Sequence, residues 1–519
     1  MDRPNNVVFV LLDSLNRKML GAYDVDGSSQ EFDTPNLDRF ASKAIKFTNH
    51  YSGSLPCMPA RHDLICGAWD FLWRPWGSIE IWEEAFTETL RRSGVATKLV
   101  SDHPHLFESG GENYHVGFTA WDYVRGHEGD PWRTRPDPSW LGTPSFGRGW
   151  IQYDTSRGWF REESEFPGPK TMTAAVRWLD EEAPAHSGRV EDELPEYAST
   201  WDRFLLFIDE FDPHEPFDTP EPYASMYDDR WEGPHLIWPP YTSGAQESGV
   251  INEEQARQVR AQYGGKLTMI DAWFGRLLDA LDRNDYWKDT AVIVTTDHGH
   301  YLGEKDIWGK PPVPMYETMG HIPLLVWWPG AEPKTVDALT TSVDLSATIV
   351  DVFGGQMQHK THGRSLVGLI QGESSSVREW ALCGVWGREV HLRWEGKNYG
   401  RAPAGANNTP MSLWSNRWTT MPVWRFDIKL PLPDDRAVLD RMPGSKVPVI
   451  RQIFQDGDML PFWAWGPFSG NHLFDLTQDP DENNDLAGTK QEKLAADLLR
   501  DALTEVEAPS EQFSRLGLL

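Results

Sequence analysis

The chain has 519 residues, 39% hydrophobic and 24% charged, which are values for a globular protein with a sizeable core and room for a second, smaller unit. A net charge of −29 excludes the basic face that nucleic acid or an anionic membrane surface requires, and no apolar run approaches the roughly 18 residues of a spanning helix. Three cysteines (Cys57, Cys66, Cys383) are too few for a disulfide framework, and residues 1–6 lack the basic and apolar regions of a secretory leader, so a cytoplasmic location is expected.

Residues 7–12 form a continuous apolar, β-branched run that ends at Asp13. Hydrophobicity without alternation predicts a strand buried on both faces, as in a parallel α/β sheet. The same design recurs down the chain. Residues 96–101 run into Asp102-His103-Pro104-His105, residues 203–208 into Asp209 and Asp212-Pro213-His214, and residues 291–296 into Asp297-His298-Gly299. Residues 321–327 read as a further strand. Helical periodicity covers residues 36–44, 83–93, 172–182 and 253–282. Alternating strands and helices imply a mostly parallel sheet with right-handed crossovers, and the charged residues then gather beyond the carboxyl ends of its strands, where such sheets bind ligands. Residues 110–169 and 212–248 are irregular and aromatic, as binding loops are. From about residue 376 short alternating runs predict a smaller α+β unit with an antiparallel sheet and a closing helix near 491–506. The expected division is 1–375 and 376–519.

Cys57-Met58-Pro59-Ala60-Arg61 opens an apolar, helix-like segment, with Pro56 and Pro59 stiffening the turn around the thiol. A helix N-terminus and a guanidinium both suit a tetrahedral oxyanion. Asp13, Asp297 and His298, brought together from separate strand ends, suit a divalent metal, although any one alone reads equally as a turn or cap residue. Lys310 either folds back over the site from a glycine-punctuated loop or is an ordinary solvated lysine. His214 either donates to a bound anion or leaving oxygen, or caps its own loop. His103 and His105 occupy a similar loop, and His300 is either a supporting group or exposed. No dinucleotide-binding, P-loop or serine-elbow pattern is present, and a Cys57-based protease leaves the strand-end acids unexplained.

Cys57-Met-Pro-Ala-Arg61 resembles the sulfatase signature Cys-x-Pro-x-Arg. Asp13, Thr34-Pro-Asn-Leu-Asp38, Thr296-Asp-His-Gly299, Leu302-Gly-Glu304, Lys310, and the stretch from Asn471 to Glu482 with Asp485-Leu-Ala487 resemble that family in the same order, across the whole chain. The resemblance implies an alkaline-phosphatase-like fold. It also implies that Cys57 is oxidised by a formylglycine-generating enzyme to Cα-formylglycine, whose hydrate attacks sulfur and later releases sulfate by re-forming its carbonyl. By the same match Asp13, Asp297, His298 and residue 57 bind one divalent cation, calcium first, with manganese or zinc as alternatives because one ligand is an imidazole. Arg61 and Lys310 hold the hydrate and the transferred group, His214 contacts or protonates the leaving oxygen, and His103 and His105 lie where substrate binds.

Two positions depart from the family. Many sulfatases carry a second aspartate where Ser14 stands, and a Gly-Lys-Trp-His segment where this chain has Ser101-Asp102-His103-Pro104-His105. Both departures resemble the phosphonate monoester and phosphodiester hydrolases. The expectation is therefore a metal-dependent hydrolase of small sulfate monoesters, on a sugar or an aryl group. The alternatives are phosphonate or phosphodiester hydrolysis at the same site, or a non-catalytic anion- or carbohydrate-binding relative. Among 26 tryptophans, Trp69, Trp73, Trp76, Trp132, Trp140 and Trp231 fit either sugar stacking or core filling. Oligomeric state is left open.

Overall fold

The computed structural model describes residues 3–24, 31–135, 151–189, 201–421, 430–464 and 466–519; Trp140 lies outside them. Eight strands form the central sheet, in the order Thr335–Val336, Ile45–Phe47, Leu324–Trp327, Thr290–Thr295, Asn6–Leu12, Arg203–Glu210, Val95–Ser101 and Ala120–Tyr123. All neighbours are parallel except Leu324–Trp327, which runs against both of its own.

Every residue of Asn6–Leu12 is buried, as its unbroken apolar run requires. Val8, Val10 and Leu12 face a layer that includes Leu267, Ile270 and Phe274 of the helix Glu253–Arg283. Val7, Phe9 and Leu11 face Met58 and Leu64 of the helix Cys57–Cys66 and Leu345 and Ile349 of the helix Ser342–Val352. The long helix begins at a capping box, Asn252 with Gln255, and its 31 residues span about 46 Å at 1.5 Å each, enough to back the whole sheet.

The register positions the chemistry. Leu12 pairs with Glu210, Leu11 with Thr295, and Ser101 with Asp209. Asp13, Asp102, Asp209 and Asp297 consequently emerge along one edge of the sheet.

In the C-terminal part, His472–Asp475, Lys397–Arg401, Val390–Trp394 and Trp380–Val385 form an antiparallel sheet, closed by Ala495, Leu499, Ala502 and Leu503 of the helix Lys490–Glu505. A fifth strand, Ser54–Leu55, comes from the chain just before Cys57 and pairs in parallel with Trp380–Val385, Ser54 opposite Gly384. Met411–Ser415, Pro448–Phe454 and Val438–Arg441 add a three-stranded sheet.

The alternating elements read from the sequence are present, and the smaller unit has its antiparallel sheet and closing helix. Among the described residues, the stretch 110–169 that reads as irregular contains the edge strand Ala120–Tyr123, the helix Ile151–Arg157 and the 3-10 turn Glu163–Glu165, and the helix Pro167–Glu181 begins in it. The strand is only four residues long and partly exposed, so it carries no apolar run to announce it. Trp69, Trp73 and Trp76 are core residues, whereas Trp132 and Trp231 are half-buried. No helix of the described residues is long and apolar enough to cross a membrane.

Leu11 is fully buried between the sheet and the signature helix. Leu11→Ala is expected to destabilise the protein by about 2–5 kcal/mol, read from denaturant unfolding.

Candidate active site

Cys57 is the first residue of the helix Cys57–Cys66, which ends at Gly67 in the left-handed conformation, φ 68°. Asp63, on the next turns of the helix, accepts hydrogen bonds from Ser54 N (2.6 Å) and Ser54 Oγ (2.7 Å), and Ser54 Oγ in turn accepts from Asp70 N (3.0 Å). These bonds tie the incoming strand to the helix and fix where residue 57 points. Gly53 is required here, because a Cβ would fall 2.2 Å from Asp63 Oδ2.

Ligand atoms of Asp13, Cys57, Asp297 and His298, all buried, lie within 4.8 Å of one another. His298 Nδ1 donates to Gly299 O (2.9 Å), which leaves the Nε2 lone pair facing Cys57 Sγ at 3.3 Å. Burial holds this imidazole below its ordinary pKa, hence neutral. Asp297 Oδ1 accepts from the backbone N–H groups of Ser14 (3.1 Å) and His298 (2.8 Å). Asp13 Oδ2 takes no hydrogen bond, although Arg61 Nη2 stands 2.9 Å away and His103 Nε2 3.5 Å. A neutral imidazole oriented by a carbonyl, two buried carboxylates and one carboxylate oxygen left without a hydrogen bond are the donor set a divalent cation takes.

Arg61 sits at the centre, only 1% exposed. Its Nε and Nη2 form a fork onto Asp209 (2.9 and 2.6 Å), and its Nη1 donates to Asp297 Oδ2 (2.8 Å) and to Cys57 O (3.2 Å). Burial opposes the charge on Asp13, but the Arg61 guanidinium beside it holds its carboxyl well below the usual range. At Asp297 burial, reinforced by Asp13, wins and pushes the carboxyl up. Burial and the same carboxylate push the Cys57 thiol well above its ordinary value, so an unmodified cysteine here stays protonated and is a poor nucleophile.

Lys310 does fold back over the site. Its Nζ donates to Ser14 Oγ (3.1 Å) and to His214 Nε2 (2.7 Å) and lies 4.0 Å from Cys57 Sγ. Burial opposes its charge, yet the carboxylates of Glu215, Asp13 and Asp297 together raise its pKa. His214 Nδ1 donates to Glu215 O (2.7 Å), and burial drives this histidine's pKa down to about 3, so it is neutral and accepts the lysine proton at Nε2.

His103 is buried against Phe211 (ring centroids 4.4 Å apart), with neither ring nitrogen hydrogen-bonded. His105 stands 5.2 Å from it, ring to ring, and is gripped by Glu108 and by Glu128 (3.2 Å). Burial opposes its charge, but the two glutamates raise its pKa to about 9. His300 is buried, with Nε2 3.2 Å from Glu215 Oε2. Asp102 is buried and accepts from Phe211 N (2.8 Å).

Three participants escape the sequence reading. Asp209 is visible there as a strand-end acid, but its fork onto Arg61 is not. Glu215 and Glu128 sit in loops with no periodicity, and only folding shows that they face His214, His300 and His105.

The carboxyl edge of a parallel α/β sheet thus gathers buried carboxylates, an imidazole, a lysine and a helix-borne residue 57, groups suited to a divalent cation and an anionic ester. The sulfatase family model matches residues 5–355, and the chain belongs to the sulfatase family, the hydrolases of sulfuric esters. Among curated relatives, a multifunctional alkaline phosphatase superfamily protein of Trinickia caryophylli is 25% identical over 75% of this chain and 80% of its own. A choline-sulfatase of Rhizobium meliloti is 24% identical over 76% and 77%. Among solved structures, the phosphonate monoester hydrolase of Agrobacterium radiobacter superposes with a TM-score of 0.63 at 18% identity, covering 98% of this chain and 96% of that one. BT4656, solved in complex with its substrate D-glucosamine-2-N,6-O-disulfate, superposes with a TM-score of 0.65 at 15% identity, over 98% of this chain and 99% of that one. These two likenesses concern the fold.

The His105 shift sets a pH window. A histidine whose folded pKa is raised carries its charge fully below its ordinary value near 6.5 and loses it as pH rises through about 9. For an anionic ester, kcat/KM is expected to fall as pH rises through about 9, and His105→Gln is expected to remove that limb while lowering the plateau; pH–rate profiles of the two proteins check it.

Proposed function

We propose that the protein hydrolyses sulfate monoesters of sugar or aryl alcohols with Cα-formylglycine formed from Cys57, matured by a formylglycine-generating enzyme. The observation that carries this is the convergence of Asp13, Cys57, Asp297 and His298 within 4.8 Å, with Lys310 Nζ 4.0 Å from Cys57 Sγ. Asp13, Asp297, His298 and residue 57 hold one divalent cation, calcium by preference, with manganese or zinc admitted by the imidazole. When bound, the cation supplies positive charge against which the oxyanion develops. As formylglycine, residue 57 supplies a hydrated aldehyde as nucleophile, and a sulfated hydrate has an exit, carbonyl re-formation, that a serine ester lacks.

The chain's own groups do the rest. Lys310 keeps its proton and directs N–H groups toward the transferred group. His214, neutral and fixed by Glu215 O, accepts a hydrogen bond from Lys310 at Nε2 and so orients the lysine N–H groups over the site. Arg61, engaged by three aspartates, orders the carboxylates and reaches the carbonyl of residue 57. His105, charged at neutral pH, supplies on the flank of the site the positive charge that a lysine supplies in many sulfatases, with His103 beside it. The disulfated glucosamine bound by BT4656 supports a sulfated sugar as the substrate class.

A second reading, hydrolysis of phosphonate monoesters or phosphodiesters, is favoured by one observation: Ser14 stands where a second aspartate is common, and Lys310 bonds its hydroxyl. Mass spectrometry of the Cys57 peptide from co-expressed protein is expected to show the aldehyde, and kcat/KM on an aryl sulfate is expected to exceed that on the matched aryl phosphonate. Cysteine alone in every preparation would favour the non-catalytic reading, and a higher phosphonate value would favour the second.

The division into units 1–375 and 376–519 is also proposed, with a functional corollary. Because Trp380–Val385 flanks the strand entering Cys57, truncation after residue 375 strips that strand of its partner. A 1–375 fragment is expected to lack hydrolase activity even when purified with residue 57 matured, as read in the aryl sulfate assay.

A further inference from the structure

The guanidinium of Arg61 faces three carboxylates on three neighbouring strand ends, and it does not treat them alike. It gives Asp209 a two-bond fork (2.9 and 2.6 Å) but only single contacts to Asp297 (2.8 Å) and Asp13 (2.9 Å). Lys310, the other nearby cation, bonds Ser14 and His214 rather than any of the three. One guanidinium against three carboxylates leaves two negative charges, the complement of one divalent cation. Take away the charge on Asp209 and one negative charge remains, while the fork is released to turn onto Asp13 and Asp297. In a buried site a cation of unit charge about 3 Å from a carboxylate competes strongly with a second cation for it.

We propose that Asp209 is a positioning residue that engages Arg61 so that Asp13 and Asp297 stay available to the divalent cation, and that it thereby sets the cation affinity of the site. This rests on the reading of Asp13 and Asp297 as ligands. Asp209 acts through Arg61 and does not touch the substrate. It restores from a third strand the negative charge that Ser14 leaves out beside Asp13.

The test uses the full-length matured enzyme, stripped with chelator and titrated with calcium chloride and, separately, manganese chloride, the thermal midpoint serving as the readout. The variants Asp209→Asn and Asp209→Ser each remove the charge, so a folding failure of one leaves the other; Asp209→Glu keeps it. Each charge-removing variant is expected to need about 10- to 100-fold more cation for half of the midpoint shift, with Asp209→Glu recovering most of the loss. Activity lost by Asp209→Asn is expected to return as cation is raised. A lower midpoint at every concentration with an unchanged half-saturation point would mean a purely structural role and would overturn the proposal alone. A wild-type midpoint that ignores both cations would overturn the ligand assignment and the proposal with it.

Discussion

The site depends on burying several carboxylates side by side at the edge of a parallel sheet. Asp13, Asp209 and Asp297 are each at most 1% exposed, and burial alone drives every one of them toward neutrality. Arg61 makes the arrangement possible. It is delivered by the helix that also presents residue 57, so that residue and the charge that steadies the acids are held in one piece. The geometry of the helix turn sets this: residues 57 and 61 are four apart and lie on one face.

A chain carrying a net charge of −29 must still admit an anionic ester. It does so with cations held by buried acids rather than with a basic surface. Lys310 leans on Glu215 and the aspartates, and His105 is gripped by Glu108 and Glu128. Each positive group owes its protonation to a glutamate or aspartate behind it, so the acidic composition and the anion site are compatible. His214 is the opposite case. Burial leaves it neutral, so it accepts a hydrogen bond from Lys310 and adds no positive charge of its own.

The smaller unit is part of the same construction. Its sheet ends on Ser54–Leu55, so the backbone entering the helix of residue 57 is held between Asp63 on one side and Trp380–Val385 on the other. The strand that leads into residue 57 thus draws its ladder partner from a segment more than 300 residues away in sequence.

The sequence by itself determined the sheet and its active edge. Strands buried on both faces cannot alternate, so 7–12, 96–101, 203–208 and 291–296 are visible as apolar runs, and the polar residues that end them are visible as candidates. Asp13, Cys57, Arg61, Asp297, His298 and Lys310 are legible for that reason and because their order resembles a family pattern. What only the tertiary structure decided is which charges face which. The fork of Arg61 on Asp209, the grip of Glu128 on His105 and the bond from Lys310 to His214 join residues from 23 to 148 positions apart, and no local periodicity encodes a contact across a loop. Protonation is settled by those contacts and by burial, so the sequence could name the titrating groups, but the fold assigned their charges.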